Sequence, residues 1–208
     1  MNRREAISAV VGGVLGMGVA QTGRAVEPVV STKTRDEAIK LLMEARQAQR
    51  FTDEPVSDED IKTILDIARN APSAHNRQPW FFSVVTDRKL LAEIDKAAKV
   101  DPNGRLSLTG SPLVVFVCVE RSDVAKYDSG LAAERLNVAA VLLGYGSKTV
   151  MTAAQAANEP TFKAQLRVPD EYDVYTAVLI GVERERSVDG VSGATSREPR
   201  EKKVVFIK

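Results

Sequence analysis

The chain has 208 residues, a formal net charge of +1 and 44% hydrophobic residues, which suits one domain with a real core. That near-neutral balance, with aromatics at 5%, gives no electrostatic footing for nucleic acid and no basic-aromatic stacking platform. A single cysteine, Cys118, and a single histidine, His75, exclude an internal disulfide framework and a cysteine-rich zinc site, and any Ser-His-Asp or Cys-His pairing would have to use that one imidazole.

Asn2-Arg3-Arg4-Glu5 opens the chain with paired arginines, and a small-residue apolar stretch with four glycines follows from Ala6 to Ala20. The run turns polar at Gln21-Thr22-Gly23-Arg24-Ala25. A charged start, a short apolar centre and a small residue at a cut site form an export signal over residues 1–25. The paired arginines and softened centre resemble a twin-arginine signal, although Ala6 stands where that signal usually has Phe. The apolar part falls short of the ~20 residues that span a bilayer, so membrane contact is expected only through an uncleaved signal. Periplasmic or otherwise extracytoplasmic residence follows from this reading.

A short linker, 26–33, leads into a domain over 34–208. Thr34-Arg35-Asp36-Glu37 has capping-box spacing, with Ala38, Leu41, Leu42 and Ala45 recurring at helical intervals. Ser57-Asp58-Glu59-Asp60 starts a second helix, with Ile61, Ile64, Leu65 and Ala68 on one face, and Pro72 stops it. Trp80 to Thr86 reads as a strand, and Asp87 caps a helix carrying Leu90, Leu91, Ile94 and Ala98. Val114 to Val119 is a buried strand, which makes Cys118 a small core residue. A long alanine-rich helix is expected from Ser129 to Leu143, and a shorter one near Thr161 to Leu166. Val174 to Val182 and Val204 to Ile207 read as the last strands. Strands separated by helices, with a late strand pair, indicate an α+β or α/β sandwich. No GxGxxG follows a strand, so no dinucleotide fingerprint is present.

The most specific local signal is Ala71-Pro72-Ser73-Ala74-His75-Asn76-Arg77-Gln78-Pro79-Trp80. It closely resembles the Ala-Pro-Ser-x-x-Asn-x-Gln-Pro-Trp run of the nitroreductase family of FMN-dependent oxidoreductases. Arg50-Phe51-Thr52-Asp53-Glu54-Pro55-Val56 upstream, and the Leu142-Leu143-Gly144-Tyr145-Gly146-Ser147 turn downstream, fall in the family's order. The resemblance covers about the whole chain after the signal. It implies an α+β fold: a three-layer α/β/α sandwich around a mixed, mainly antiparallel sheet, with a C-terminal strand open to exchange between subunits. It also implies FMN as cofactor and a homodimer with FMN at the interface. Ser73 and Asn76 can bond hydroxyls or the pyrimidine edge of a flavin, while His75, Gln78 and Trp80 are read as loop and scaffold.

Departures from the family are informative. The family's Arg-Arg-Ser-x-Arg-x-Phe phosphate grip is matched here by Ala45, Arg46, Gln47, Ala48, Gln49 and Arg50 before Phe51. Only Arg46 keeps its cation; Gln47 and Gln49 hold two of the gripping positions without charge. Each lost charge-assisted hydrogen bond costs about 1.5–3 kcal/mol, so untethered FMN should bind weakly. The family's Pro-x-Glu-Gly turn, whose backbone N–H faces flavin N5, reads Thr149-Val150-Met151-Thr152 here. Backbone donors near Met151 and Thr152 survive that change, and no side chain is assigned a catalytic role.

Asp189-Gly190-Val191-Ser192-Gly193-Ala194-Thr195 has the composition of an ordinary turn. It also resembles the acceptor tag on which a bacterial flavin transferase esterifies FMN to a threonine. The family's C-terminal Lys-x-Arg-x-Pro run reads Thr195-Ser196-Arg197-Glu198-Pro199 here, so the tag hydroxyl stands at the phosphate-binding lysine position and Arg197 keeps its role. A phosphoester would lower the phosphate charge from about −2 to about −1 and with it the need for cations. The sequence therefore points to an exported oxidoreductase with FMN on Thr195, supplied with electrons by a redox protein or a quinol-linked donor. Two alternatives stay open: an ordinary non-covalent NAD(P)H-dependent nitro or quinone reductase, and a flavin electron carrier without its own substrate.

Overall fold

The computed structural model describes residues 32–184 and 198–207. The export signal, most of the linker and the tag lie outside the described residues.

Helix α1 (Thr32–Glu44) begins before the expected capping box, so Thr34 lies inside the helix and Ala45 lies past its end. Helix α2 (Asp58–Arg69) starts as the sequence requires, with the Ser57 side chain accepting from the Asp60 N–H. A single 3-10 turn, Ala74–Asn76, leads to strand β1 (Trp80–Val85). Asp87 caps helix α3 (Arg88–Ala97) by accepting from the Lys89 and Leu90 amides. Strand β2 (Leu113–Glu120) feeds helix α4 (Asp123–Leu142), which begins six residues before Ser129 because the Ser122 hydroxyl caps it. Strand β3 (Gly146–Val150), helix α5 (Thr152–Ala156), helix α6 (Pro160–Gln165) and strand β4 (Tyr172–Gly181) complete the body.

The sheet has strand order β1-β2-β4-β3, and every described pairing is antiparallel. β2 is apolar from Leu113 to Val119 because both its faces are covered there. Val114, Phe116 and Cys118 enter one core with Leu91, Ile94, Ala153 and Phe162. Leu113, Val115 and Val117 enter the other with Ile64, Ala133, Leu136 and Ala140. Helices therefore flank the sheet on both sides, giving the expected three-layer sandwich. Each fully buried side chain of this kind contributes about 1.5–3 kcal/mol, which makes β2 the spine of the fold.

The expected final strand at Val204–Ile207 is not formed. Among the described residues this run has no ladder partner, and Ile207 is 93% exposed. A strand needs a neighbour to take its N–H and C=O groups, and the described residues of one chain supply none.

Residues 48–52 cross the ends of β3 and β4. The Ala48 N–H donates to Ser147 O, the Thr52 N–H to Val182 O and the Arg184 N–H to Arg50 O, each near 2.8–3.0 Å. Phe51 bridges Glu183. Gly146 and Gly181, paired in register, make that crossing possible. A Cβ on Gly146 would lie 3.0 Å from the Ala48 Cβ, and one on Gly181 would lie 2.7 Å from the Pro112 ring.

Candidate functional site

The crossing segment separates two cavities. The first, about 260 Å³, is bounded by Gln49, Arg50, Arg88, Arg105, Lys148 and Arg184, among other residues. These supply five cations, and Asp53 is the one carboxylate in its lining. Asp53 is already engaged, with an oxygen 2.7 Å from the Arg88 guanidinium and another 4.0 Å from that of Arg184. The cavity is thus strongly electropositive and suited to an anionic or electron-rich polar group.

Gln49 sits at its rim. The Gln49 Oε1 accepts from Arg105 Nη1 at 3.0 Å, its N–H donates to Glu183 Oε1 at 3.2 Å, and its carbonyl accepts from Lys148 Nζ at 2.8 Å. Lys148 Nζ also donates to the Arg105 carbonyl at 2.8 Å. Lys148 is 6% exposed on a strand face it shares with core residue Val150, so its ammonium is largely removed from water. Burial, with Arg105 nearby, holds it below the usual lysine range.

The loop that brings Arg105 is fixed by a buried carboxylate. Asp95 on α3 accepts from the Ser107 hydroxyl at 2.7 Å and from the Leu108 and Thr109 amides at 3.0 and 3.2 Å.

The second cavity, about 460 Å³, is lined by Ala45, Arg46, Tyr145, Gly146 and Glu183, among others, and shares Arg184 with the first. Its lining pairs Arg46 and Arg184 with Glu44 and Glu183, so it carries no excess of positive charge. Arg46 therefore lines this cavity with little electrostatic reinforcement. Gln47 lies exposed on the same segment and lines neither cavity.

Ser73 and Asn76 are not brought to these cavities. Their loop precedes β1, at the opposite sheet edge from β3. With neighbouring strands about 4.8 Å apart, that edge lies about 14 Å away. The loop is nonetheless built to a fixed shape. His75, Asn76 and Gln78 take φ near +53°, a region that L-residues with side chains seldom occupy. The Ser73 hydroxyl accepts from the Gln78 N–H at 3.0 Å, and the buried Asp128 carboxylate accepts from the Ala74 N–H at 3.1 Å. Loop shapes of this kind concentrate at functional sites.

Met151 is half exposed and immediately precedes α5, which Thr152 begins. First-turn amides of a helix have no acceptor inside it. Thr195 and Arg197 lie outside the described residues. Arg105, Lys148 and Arg184 were not foreseen from sequence. The one signal is Lys148 itself, a charge between the Leu142–Ser147 turn and the Thr149–Thr152 stretch.

The comparisons agree with this architecture. Residues 42–104 match the model of the nitroreductase family. A protein of Archaeoglobus fulgidus described as an NADH dehydrogenase/NAD(P)H nitroreductase is 31% identical over 153 residues, 70% of this chain and 85% of that one. A solved nitroreductase with bound FMN from Desulfitobacterium hafniense superposes with a TM-score of 0.69 at 22% identity, covering 83% of this chain and 98% of that one. An FMN-dependent nitroreductase from Clostridium difficile R20291 superposes with a TM-score of 0.66 at 25% identity, covering 82% and 99%.

Proposed function

The chain belongs to the nitroreductase family, and from that premise we propose that it is an exported FMN-dependent oxidoreductase with its cofactor esterified to Thr195. The observation that carries the FMN assignment is the electropositive cavity beside Gln49, linked through Arg184 to the cavity that holds Arg46. An elongated ligand with a polar ring at one end and a phosphate at the other fits such a pair. Bound there, FMN supplies two-electron transfer through its N5 atom.

The protein's part is to bind and orient. Gln49, Arg105 and Lys148 border the cavity for the ring, and amides near Met151 and Thr152 offer backbone donors. Arg46, and from the sequence Arg197, would hold the phosphate. Since the Arg46 cavity carries no excess of positive charge, a phosphoester at Thr195 would do what the missing cations do elsewhere in the family. A tether also suits an extracytoplasmic protein, which could not readily replace lost FMN. Its modifying enzyme would be a flavin transferase, and its electrons would come from a redox protein or a quinol-linked donor. Ser73 and Asn76 would complete the site across a homodimer interface, which is how a loop at the far sheet edge can reach a flavin.

The description of the Archaeoglobus relative favours a second reading, a non-covalent nitro or quinone reductase that uses NAD(P)H. One experiment separates the two. Protein made with the transferase is denatured on a gel and by acid, beside Thr195→Ala. Under the tethered reading flavin fluorescence stays with the denatured wild-type chain, and Thr195→Ala loses its flavin. Quantitative release of flavin by acid, with Thr195→Ala still yellow before denaturation, would establish the second reading instead.

A further inference from the structure

Lys148 is an unusual residue for its place. It sits in a strand, 6% exposed, on the face that carries core residue Val150. Burying an ammonium is costly unless something compensates. Among the described residues the hydrogen bonds of its ammonium go to main chain, and Glu183, which accepts from the Gln49 N–H, acts on it only as a nearby charge. Its two partners are main-chain carbonyls, Gln49 O and Arg105 O, each at 2.8 Å. Those carbonyls belong to different segments, the crossing run 48–52 and the loop held by Asp95. An ammonium has three N–H donors, two of which serve these carbonyls, and Lys148 lines the first cavity together with four arginines. A methionine would fill the same space without the desolvation cost. The charge is therefore what needs explaining.

We infer that Lys148 is a positioning and charge-supplying residue of the flavin pocket: it ties Gln49 to Arg105 across the cavity mouth and lends its positive charge to the cavity, favouring the reduced over the oxidised cofactor. The inference rests on the FMN reading above. A flavin ring carries more electron density when reduced, so a fixed, poorly solvated cation close to it binds the reduced form more tightly. Strut and charge can be separated. Lys148→Gln keeps two N–H donors for the two carbonyls and removes the charge. Lys148→Arg keeps the charge on a bulkier head.

The test uses the full-length chain and reads two quantities: the two-electron midpoint potential of the bound flavin, and the FMN affinity of protein made without transferase. Circular dichroism checks that each variant is folded. Lys148→Gln should lose about tenfold in preference for reduced over oxidised FMN, a fall of about 30 mV for a two-electron couple. Lys148→Arg should stay close to wild type. A wild-type potential in folded Lys148→Gln overturns the inference. So does a weakening of FMN binding with no change of potential, which would put the charge at the phosphate. An equal fall in both variants would leave only the strut and overturn the charge assignment. A wild-type chain that takes up no FMN would remove the FMN reading itself, and this inference with it.

Discussion

At the residue scale, the site depends on buried polar groups that tie separate segments together. Asp95 is 2% exposed and serves the Ser107 hydroxyl and the Leu108 and Thr109 amides together. Removing that carboxylate leaves several buried donors without an acceptor, each costing about 1–3 kcal/mol. Asp95→Ala should therefore lower the unfolding free energy by about 3 kcal/mol, read from the urea midpoint at constant m-value. Because the same loop carries Arg105, flavin retention should fall as well. A variant of unchanged stability would mean that the loop is held by other contacts. Cys118 shows the opposite case, a residue whose role was legible from its apolar neighbours alone. It is buried, and desolvation pushes its thiol up to about 12, where it stays protonated and inert at neutral pH. Lys148 was not legible in this way. Its partners are backbone carbonyls from segments about 43 and 99 residues distant, and no spacing rule announces them.

At the scale of elements, close approach of backbone governs what the crossing segment can do. Gly181 ends β4 against Pro112 and Phe51, where a Cβ would meet the proline ring at 2.7 and 2.8 Å. A proline ring cannot rotate aside, so the strand end or residues 48–52 must shift. Gly181→Ala should cost about 1–3 kcal/mol, as overpacking typically does. Thermal unfolding would read it, and an unchanged midpoint would show that the crossing has slack. The helices with clear caps, at Ser57 and Asp87, could be placed from sequence because a side chain announces the first turn. The start of α4 was missed because Ser122-Asp123 precedes a stretch with weak apolar periodicity. β3 was missed because Gly146 and Lys148 interrupt the pattern that marks a strand. Both interruptions serve the site. Gly146 admits the crossing segment and Lys148 reaches beneath it, so local rules failed where the cavity is built.

At the scale of the whole molecule, one chain leaves two complementary surfaces open. Among the described residues β1 pairs only with β2, which leaves its outer edge open to a further strand. A groove of about 430 Å³ runs along it, lined by Phe81, Val84, Leu90 and Leu166 among others. Val205, Phe206 and Ile207 are each at least 75% exposed, an arrangement that water does not favour for three adjacent apolar residues. An extended apolar run and an open sheet edge can satisfy each other between two chains, by adding a strand to the edge and side chains to the groove. The same association would bring a second copy's Ser73–Gln78 loop within reach of the flavin cavities, which one chain alone does not achieve. The full-length protein is therefore expected to behave as a homodimer in sedimentation velocity at micromolar concentration. Deleting residues 203–208 should yield a monomer and reduce FMN retention at least tenfold, through loss of the partner's loop. A truncated chain that stays dimeric and yellow would show that the tail is dispensable and that helix packing alone holds the two copies together.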